Sequence, residues 1–176
     1  VEDALLDGVA PGMAGIDALE DMLRDHHGSH HCALVVALSH FDIGWSWQAA
    51  IANGDIRAEA DTTDRIDAHY RRAAELLAPY DAQELDAPSL AAAKCALLAV
   101  ERYPDRRVAD ADEKLIDLDP DCARHMRALG FHLLPRFYGT YDQLELEARR
   151  TAARTSDAWG AGGYAWVYFD ALATDD

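Results

Sequence analysis

Length, composition and charge place this chain among acidic globular proteins. Of its 176 residues, 50% are hydrophobic and 27% are charged, which is enough apolar material for the core of one domain. The formal net charge of −16 opposes binding to phosphate backbones and to anionic membranes, so we expect neither a nucleic-acid nor a membrane partner.

The cysteines and the apolar stretches indicate the cellular compartment to expect. Cys32, Cys95 and Cys122 are isolated in apolar runs, which is typical of free cysteines in a reducing compartment, and the cytoplasm is therefore expected. The opening residues lack the basic start and long apolar region of a signal peptide. The longest apolar stretch, residues 32–51, contains five polar side chains, which favours a buried helix over a membrane span.

Apolar residues recur at helical spacing along the first half of the chain. A short amphipathic stripe is followed by a segment that is apolar on almost every side and by a second amphipathic stripe. These predict three helices, at residues 16–27, 32–52 and 66–80. Asp86-Ala87-Pro88 then predicts a helix start, because proline suits a first helical turn.

The second half of the chain predicts five further helices. Their expected positions are residues 88–103, 108–118, 122–137, 141–155 and 161–172. Pro104 and Pro120 end two of these stripes, and Gly139 acts as a stop after a third. Since the loops are short, successive helices should be antiparallel, and we predict a single all-α domain over residues 1–176.

Two of the predicted helical hairpins repeat. Residues 88–103 overlay residues 122–137 at a shift of 34, and the helices that follow them overlay at a shift of 33. A hairpin period of about 34 residues is typical of the tetratricopeptide repeat. Two hairpins of similar length by chance are the alternative.

Short motifs support the repeat. The run from Glu113 to Asp121, which closes on Asp-Pro, resembles the end of a tetratricopeptide second helix. The Leu129-Gly130 pair resembles the Leu-Gly pair of the first helix, where glycine lets the two helices of a hairpin approach closely. Met126 and Leu133 depart from the usual Trp and Tyr. The resemblance covers residues 88–156 best and implies antiparallel hairpins stacked as a short solenoid.

A narrower resemblance concerns "GWSWQ" (Gly44 to Gln48) and "PRFYGTYDQL" (Pro135 to Leu144). These segments are similar to an uncharacterised bacterial family with a tetratricopeptide-like fold, whose members carry a Pro-Arg-aromatic element ending in Gly-Ser/Thr. The family has no established activity, so this resemblance implies a fold and no chemistry.

The stretch "DHHGSHH" (Asp25 to His31) is the first candidate site. On one continuous helix, His27, His30 and His31 would share a face and could hold zinc or nickel. Gly28-Ser29, however, has the composition of a helix end followed by a new N-cap. We therefore predict a helix break, no metal site and no cofactor.

His125, His132 and Arg136 form the second candidate site. Their spacing places them on one stripe of the helix 122–137, beside the apolar stripe of Met126, Gly130, Leu133 and Phe137. In a hairpin solenoid this stripe could line a ligand groove, with Arg136 contacting an anion or carboxylate. The alternative is that Arg136 pairs with a neighbouring acid and that the histidines are packed or solvated.

Three functions remain open from the sequence. The repeat and the lack of catalytic motifs favour a module that binds a protein or peptide, with no catalytic residues assigned. Histidine enrichment leaves a metal-binding protein or hydrolase as the alternative. A purely structural or oligomerising domain is the third, and the sequence does not decide the oligomeric state.

Overall fold

The computed structural model describes residues 13–56, 60–100, 107–135 and 139–173. The described residues form nine helices and no strand, which confirms the predicted all-α class. The helices are α1 (Met13–Asp25), α2 (His30–Ala52), α3 (Ala60–Leu77), α4 (Pro88–Ala99), α5 (Arg107–Leu118), α6 (Ala123–His132), α7 (Tyr141–Arg154), α8 (Ser156–Trp159) and α9 (Gly162–Ala173). Among these helices, none combines the length and the apolar character that a membrane crossing needs.

The chain divides into two compact units, residues 1–81 and residues 82–176. The first unit contains α1 to α3, and the second contains α4 to α9. This division is finer than the single domain predicted over residues 1–176.

In the first unit, α2 packs along α3 and also contacts α1. The buried residues of α2 lie three or four apart along one face, as Val36, His40 and Ile43 do, whereas Val35, Leu38 and Trp45 are 40–56% exposed. The sequence of α2 therefore shows little periodicity because it also carries exposed apolar side chains, and the helix is not buried on every side, contrary to what its sequence indicates. Gly44 brings α2 close to α3, because a Cβ atom added there would stand 2.7 Å from Cε1 of Tyr70.

In the second unit, α9 completes the core. It packs against α6 and α7, while α5 packs against α4 and α6. The core consists of Ile116, Met126, Leu129, Leu133, Leu134, Leu144, Ala148, Val167 and Ala171. Val167 and Ala171 come from α9, so the last helix is an integral part of this core.

Helix α6 ends earlier than predicted. The sequence predicts a helix from about Cys122 to Phe137, whereas α6 stops at His132 with Leu133 as its C-cap. The physical reason is Pro135, which disfavours helical geometry in the preceding residue. Helix α7 then begins at Tyr141, where the Thr140 hydroxyl accepts a hydrogen bond from the backbone N–H of Gln143 at 3.2 Å.

Gly130 allows a close helix contact, but with a different helix from the one expected. The tetratricopeptide resemblance implies an approach between the two helices of its own hairpin, α6 and α7. In the structure a Cβ atom at Gly130 would lie 1.8 Å from the carbonyl oxygen of Val167 in α9. The position therefore requires glycine because the backbone of α9 crosses there.

Candidate functional site

The histidines of "DHHGSHH" lie at a break between two helices. Helix α1 ends at Asp25, Gly28 has a φ of +87°, and the Ser29 hydroxyl accepts from the backbone N–H of Cys32 at 3.3 Å as the N-cap of α2. This confirms the predicted break. Over the residues that the structure describes, His27, His30 and His31 do not belong to a three-ligand cluster.

The predicted ligand stripe is only partly accessible. His125 is 9% exposed, and its Nε2 lies 3.0 Å from Oδ2 of Asp119. For His125 this burial agrees with the alternative in which the histidine is packed, with the Asp119 carboxylate as its partner. Arg136 lies outside the described residues, so its role in a groove stays a prediction.

His132 is held by another acid. Its Nδ1 lies 2.6 Å from Oδ2 of Asp112, a carboxylate that is fully buried in α5. The two predicted groove histidines thus have separate carboxylate partners. The neighbouring apolar stripe is as predicted, since Met126, Gly130 and Leu133 are buried, while Phe137 lies outside the described residues.

Cys95, Asp112 and His132 resemble a catalytic set in composition but not in order. In a nucleophilic triad the imidazole lies between the nucleophile and the acid. Here the Asp112 carboxylate lies between the thiol and the imidazole. Burial and the adjacent carboxylate raise the pKa of the Cys95 thiol, which keeps it protonated and unreactive. This cluster is structural.

A polar network in the first unit joins all three helices. Arg72 of α3 donates to both carboxylate oxygens of Glu20 in α1, each at 2.7 Å, and Nε2 of His40 in α2 lies 3.1 Å from the same carboxylate. The Arg72 guanidinium lowers the pKa of Glu20 to about 2, so this carboxylate is ionised at neutral pH.

The network continues through a second imidazole. Nδ1 of His40 and Nδ1 of His69 are 2.8 Å apart, so one ring donates and the other accepts. The direction of this second bond depends on the tautomers of the two rings. Burial and the adjacent His40 lower the pKa of His69, which favours a neutral His69 ring. The spacing of residues within one helix cannot predict this network, because its members come from three separate helices.

A pair of acidic side chains, partly buried Glu113 and buried Glu147, lies between α5 and α7. Glu147 is buried, and burial together with the Glu113 carboxylate raises its pKa to about 7. The pKa of Glu113 is lowered because it accepts a hydrogen bond from protonated Glu147 and lies near Arg154. The pair therefore shares one proton near neutral pH.

The turn between α5 and α6 collects three possible metal ligands. A carboxylate oxygen of Asp119, the thiol of Cys122 and a ring nitrogen of His125 all lie within 4.8 Å of one another. From the sequence, Cys122 is expected only to be an isolated free cysteine in an apolar run. The overlooked signal is the spacing Asp-x-x-Cys-x-x-His across a helix start.

An apolar groove runs along α9. It is an open surface depression lined by this one helix, through Tyr164, Ala165, Tyr168, Phe169, Leu172 and Ala173. Phe169 is 49% exposed and Leu172 is 76% exposed. Large apolar side chains that share an open face in this way are typical of a binding surface.

The polar border of this groove is well ordered. Tyr164 and Tyr168 stack with ring centroids 5.0 Å apart, and both hydroxyls donate to Oε2 of Glu145. These hydrogen bonds lower the pKa of Glu145 and keep it charged. On the other side Arg127 forms a two-point ion pair with Asp170 and lies 4.7 Å from the centre of the Phe169 ring.

Comparisons with known proteins found no matching family model, no matching curated protein and no matching solved structure.

Proposed function

We propose that this chain is a cytoplasmic helical-repeat module that binds a basic, amphipathic helical segment of a partner protein in the groove of α9. The observation that carries the proposal is the exposed apolar stripe of α9. Ala165, Phe169 and Leu172 are spaced four and three residues apart on one open face. A partner helix presenting apolar residues at i, i+3 or i+4 and i+7 would match it.

Charge decides what the partner should look like. The chain has 32 acidic and 16 basic residues, whereas the charges at the groove itself are paired, Glu145 with Arg149 and Asp170 with Arg127, so the attraction comes from the net charge of the whole chain. A segment with lysine or arginine beside its apolar face would be attracted, whereas an acidic one would be repelled.

The contacts of the second unit match stacked hairpins only in its first three helices. Helices α4 and α5 pack on each other and α6 packs on α5, whereas the main partner of α6 is α9, not the α7 of its own predicted hairpin. The proposed repeat therefore depends on the period of about 34 residues and on the α4–α5–α6 contacts. The free cysteines Cys32, Cys95 and Cys122 support a reducing compartment.

Two model peptides test the proposal. They share one leucine pattern at helical spacing, and one carries lysines where the other carries glutamates. Fluorescence anisotropy of the labelled peptides should show binding of the lysine peptide that weakens with added salt, and no binding of the glutamate peptide. Equal binding of the two peptides, or none of either, would contradict the proposed partner.

A matched pair of variants locates the binding surface. Leu172→Gln should weaken binding of the lysine peptide by about tenfold, because the substitution removes an apolar contact worth more than about 1 kcal/mol. Leu146→Gln is the control, since Leu146 is 46% exposed on α7 and does not line the groove. Sedimentation of the chain alone tests the other occupant: a dimer abolished by Leu172→Gln would assign the groove to a second copy.

A further inference from the structure

We propose that the turn between α5 and α6 is a transition-metal site, best suited to zinc, with Asp119, Cys122 and His125 as its protein ligands. The proposal is independent of the groove on α9, because it concerns different residues and a different kind of ligand. It also differs from the histidine site considered at residues 27–31.

The backbone already places the three side chains on one side of the turn. Asp119 follows the last residue of α5, Cys122 is the N-cap of α6, and His125 lies in the first turn of α6. The backbone N–H of Cys122 donates to the Asp119 carbonyl at 3.3 Å, and that of His125 donates to the Cys122 carbonyl at 3.1 Å. Two successive hydrogen-bonded turns therefore present residues three apart to the same point.

The turn is also held from outside. The indole N–H of Trp159 in α8 donates to the carbonyl oxygen of Pro120 at 2.9 Å. This bond attaches the turn to a second part of the unit. A braced turn loses less conformational freedom when a metal binds, which favours affinity.

The distances suit a small tetrahedral ion. Oδ2 of Asp119 and Nε2 of His125 are 3.0 Å apart, and Sγ of Cys122 lies within 4.8 Å of a ring nitrogen of His125 and a carboxylate oxygen of Asp119. In a tetrahedral zinc site with ordinary bond lengths, ligand atoms stand about 3.3–3.6 Å apart. Modest side-chain rotations therefore convert the existing Asp–His contact into two metal bonds.

The donor set identifies the class of metal. A thiolate and an imidazole are ligands for zinc, cobalt or nickel, whereas magnesium and calcium prefer sites made only of oxygen atoms. Three protein ligands leave the fourth tetrahedral position to water, as in open zinc sites. The net charge of −16 favours the approach of a cation.

Binding has a definite proton balance. The Cys122 thiol releases its proton to solvent when sulfur bonds to the metal. The imidazole of His125 binds through the Nε2 lone pair, so its remaining proton moves to Nδ1. The hydrogen bond between His125 and Asp119 is replaced by their two bonds to the ion.

Cobalt titration of the reduced, tag-free chain tests the site, because a cobalt–thiolate bond gives a near-ultraviolet charge-transfer band. We expect this band at one cobalt per chain, and we expect zinc to abolish it by displacement. Cys122→Ser should lose the band, and His125→Gln should weaken cobalt binding by at least about tenfold. Circular dichroism checks that each variant retains its helices.

Two control variants keep the same chemistry elsewhere in the chain. Cys32→Ser removes another partly exposed thiol, and His132→Gln removes another histidine paired with a carboxylate. Both should leave cobalt affinity unchanged. If the Cys122→Ser variant does not fold, a second measurement on the unaltered chain takes its place. There, zinc should protect Cys122 from alkylation. A band that survives Cys122→Ser, a band lost with Cys32→Ser, or alkylation of Cys122 unaffected by zinc would overturn the site.

Discussion

Burial strongly changes the proton affinity of the Glu147 carboxyl group. Its carboxyl group lies against Glu113, and its pKa is raised from 4.5 to about 7. A raised pKa means that the folded state binds the proton more tightly than the unfolded chain does. The stability that comes from this proton is complete below about pH 4.5 and is lost as the pH rises through 7.

Glu147→Gln should therefore remove a pH dependence of stability. An amide keeps the shape of the protonated acid but cannot ionise, so the free energy of unfolding of the variant should exceed that of the original chain by about 1–2 kcal/mol at pH 8 and equal it at about pH 4. Urea unfolding followed by helical circular dichroism at both pH values measures the difference. Identical pH profiles for the two chains would contradict this account.

Glu145→Gln, on the same helix, is a control that should change stability at high pH in the opposite direction. The hydroxyls of Tyr164 and Tyr168 lower the pKa of Glu145, so its charged form stabilises the fold at neutral pH. Replacing it should reduce stability at pH 8.

Single residues were the hardest level to predict from the sequence. Helical spacing correctly placed Met126, Gly130 and Leu133 on one buried stripe, because that stripe depends only on the period of one helix. The burial of His125 depends on where Asp119 lies after a turn, and the network around His40 depends on three helices meeting. Local spacing contains neither kind of information.

At the level of helices, the contact between α6 and α9 restricts most strongly which side chain its residues can carry. Gly130 meets the carbonyl oxygen of Val167, which belongs to a backbone and cannot rotate away. Only the absence of a side chain permits this crossing.

Gly130→Ala should separate these two helices. We expect a loss of about 1–3 kcal/mol in the free energy of unfolding, despite the better helix propensity of alanine. Gly162→Ala is the matched control, because an added Cβ there would stand 3.6 Å from Cβ of Trp159, an ordinary contact. Chemical denaturation compares the two, and equal stability of both variants would show that the crossing is not tight.

Helix positions were largely predictable, whereas some helix ends were not. The predicted segments 32–52, 141–155 and 161–172 match α2, α7 and α9 to within two residues. Their periodicity is strong and their boundaries have turn or capping residues. The apolar pattern of α6 continues beyond the residue at which the helix ends. The prediction followed that pattern, although Pro135 disfavours helical geometry in the residue before it.

At the scale of the whole molecule, charge limits the partners. A chain with a net charge of −16 gains nothing from releasing the counterions of DNA or RNA. Basic proteins bind random duplexes with dissociation constants of about 10⁻⁴ to 10⁻⁶ M, and this chain should show no binding in that range.

Anisotropy of a labelled random duplex at low salt measures this directly. The signal should stay flat as protein is added, while an unrelated basic protein of similar size gives a saturable rise. A rise with this chain that disappears on adding salt would reveal a basic surface that the net charge conceals.

The position of α9 in the second core also has a consequence for synthesis. Val167 and Ala171 are core residues, yet they leave the ribosome after α4 to α8 have emerged. Until then Met126, Leu129 and Leu144 have no α9 to cover them, and such apolar surface invites aggregation or chaperone binding. The first unit needs no such wait, since α1 to α3 can assemble among themselves. The two halves of the chain should therefore mature at different times on the ribosome, with the aggregation risk concentrated in the second.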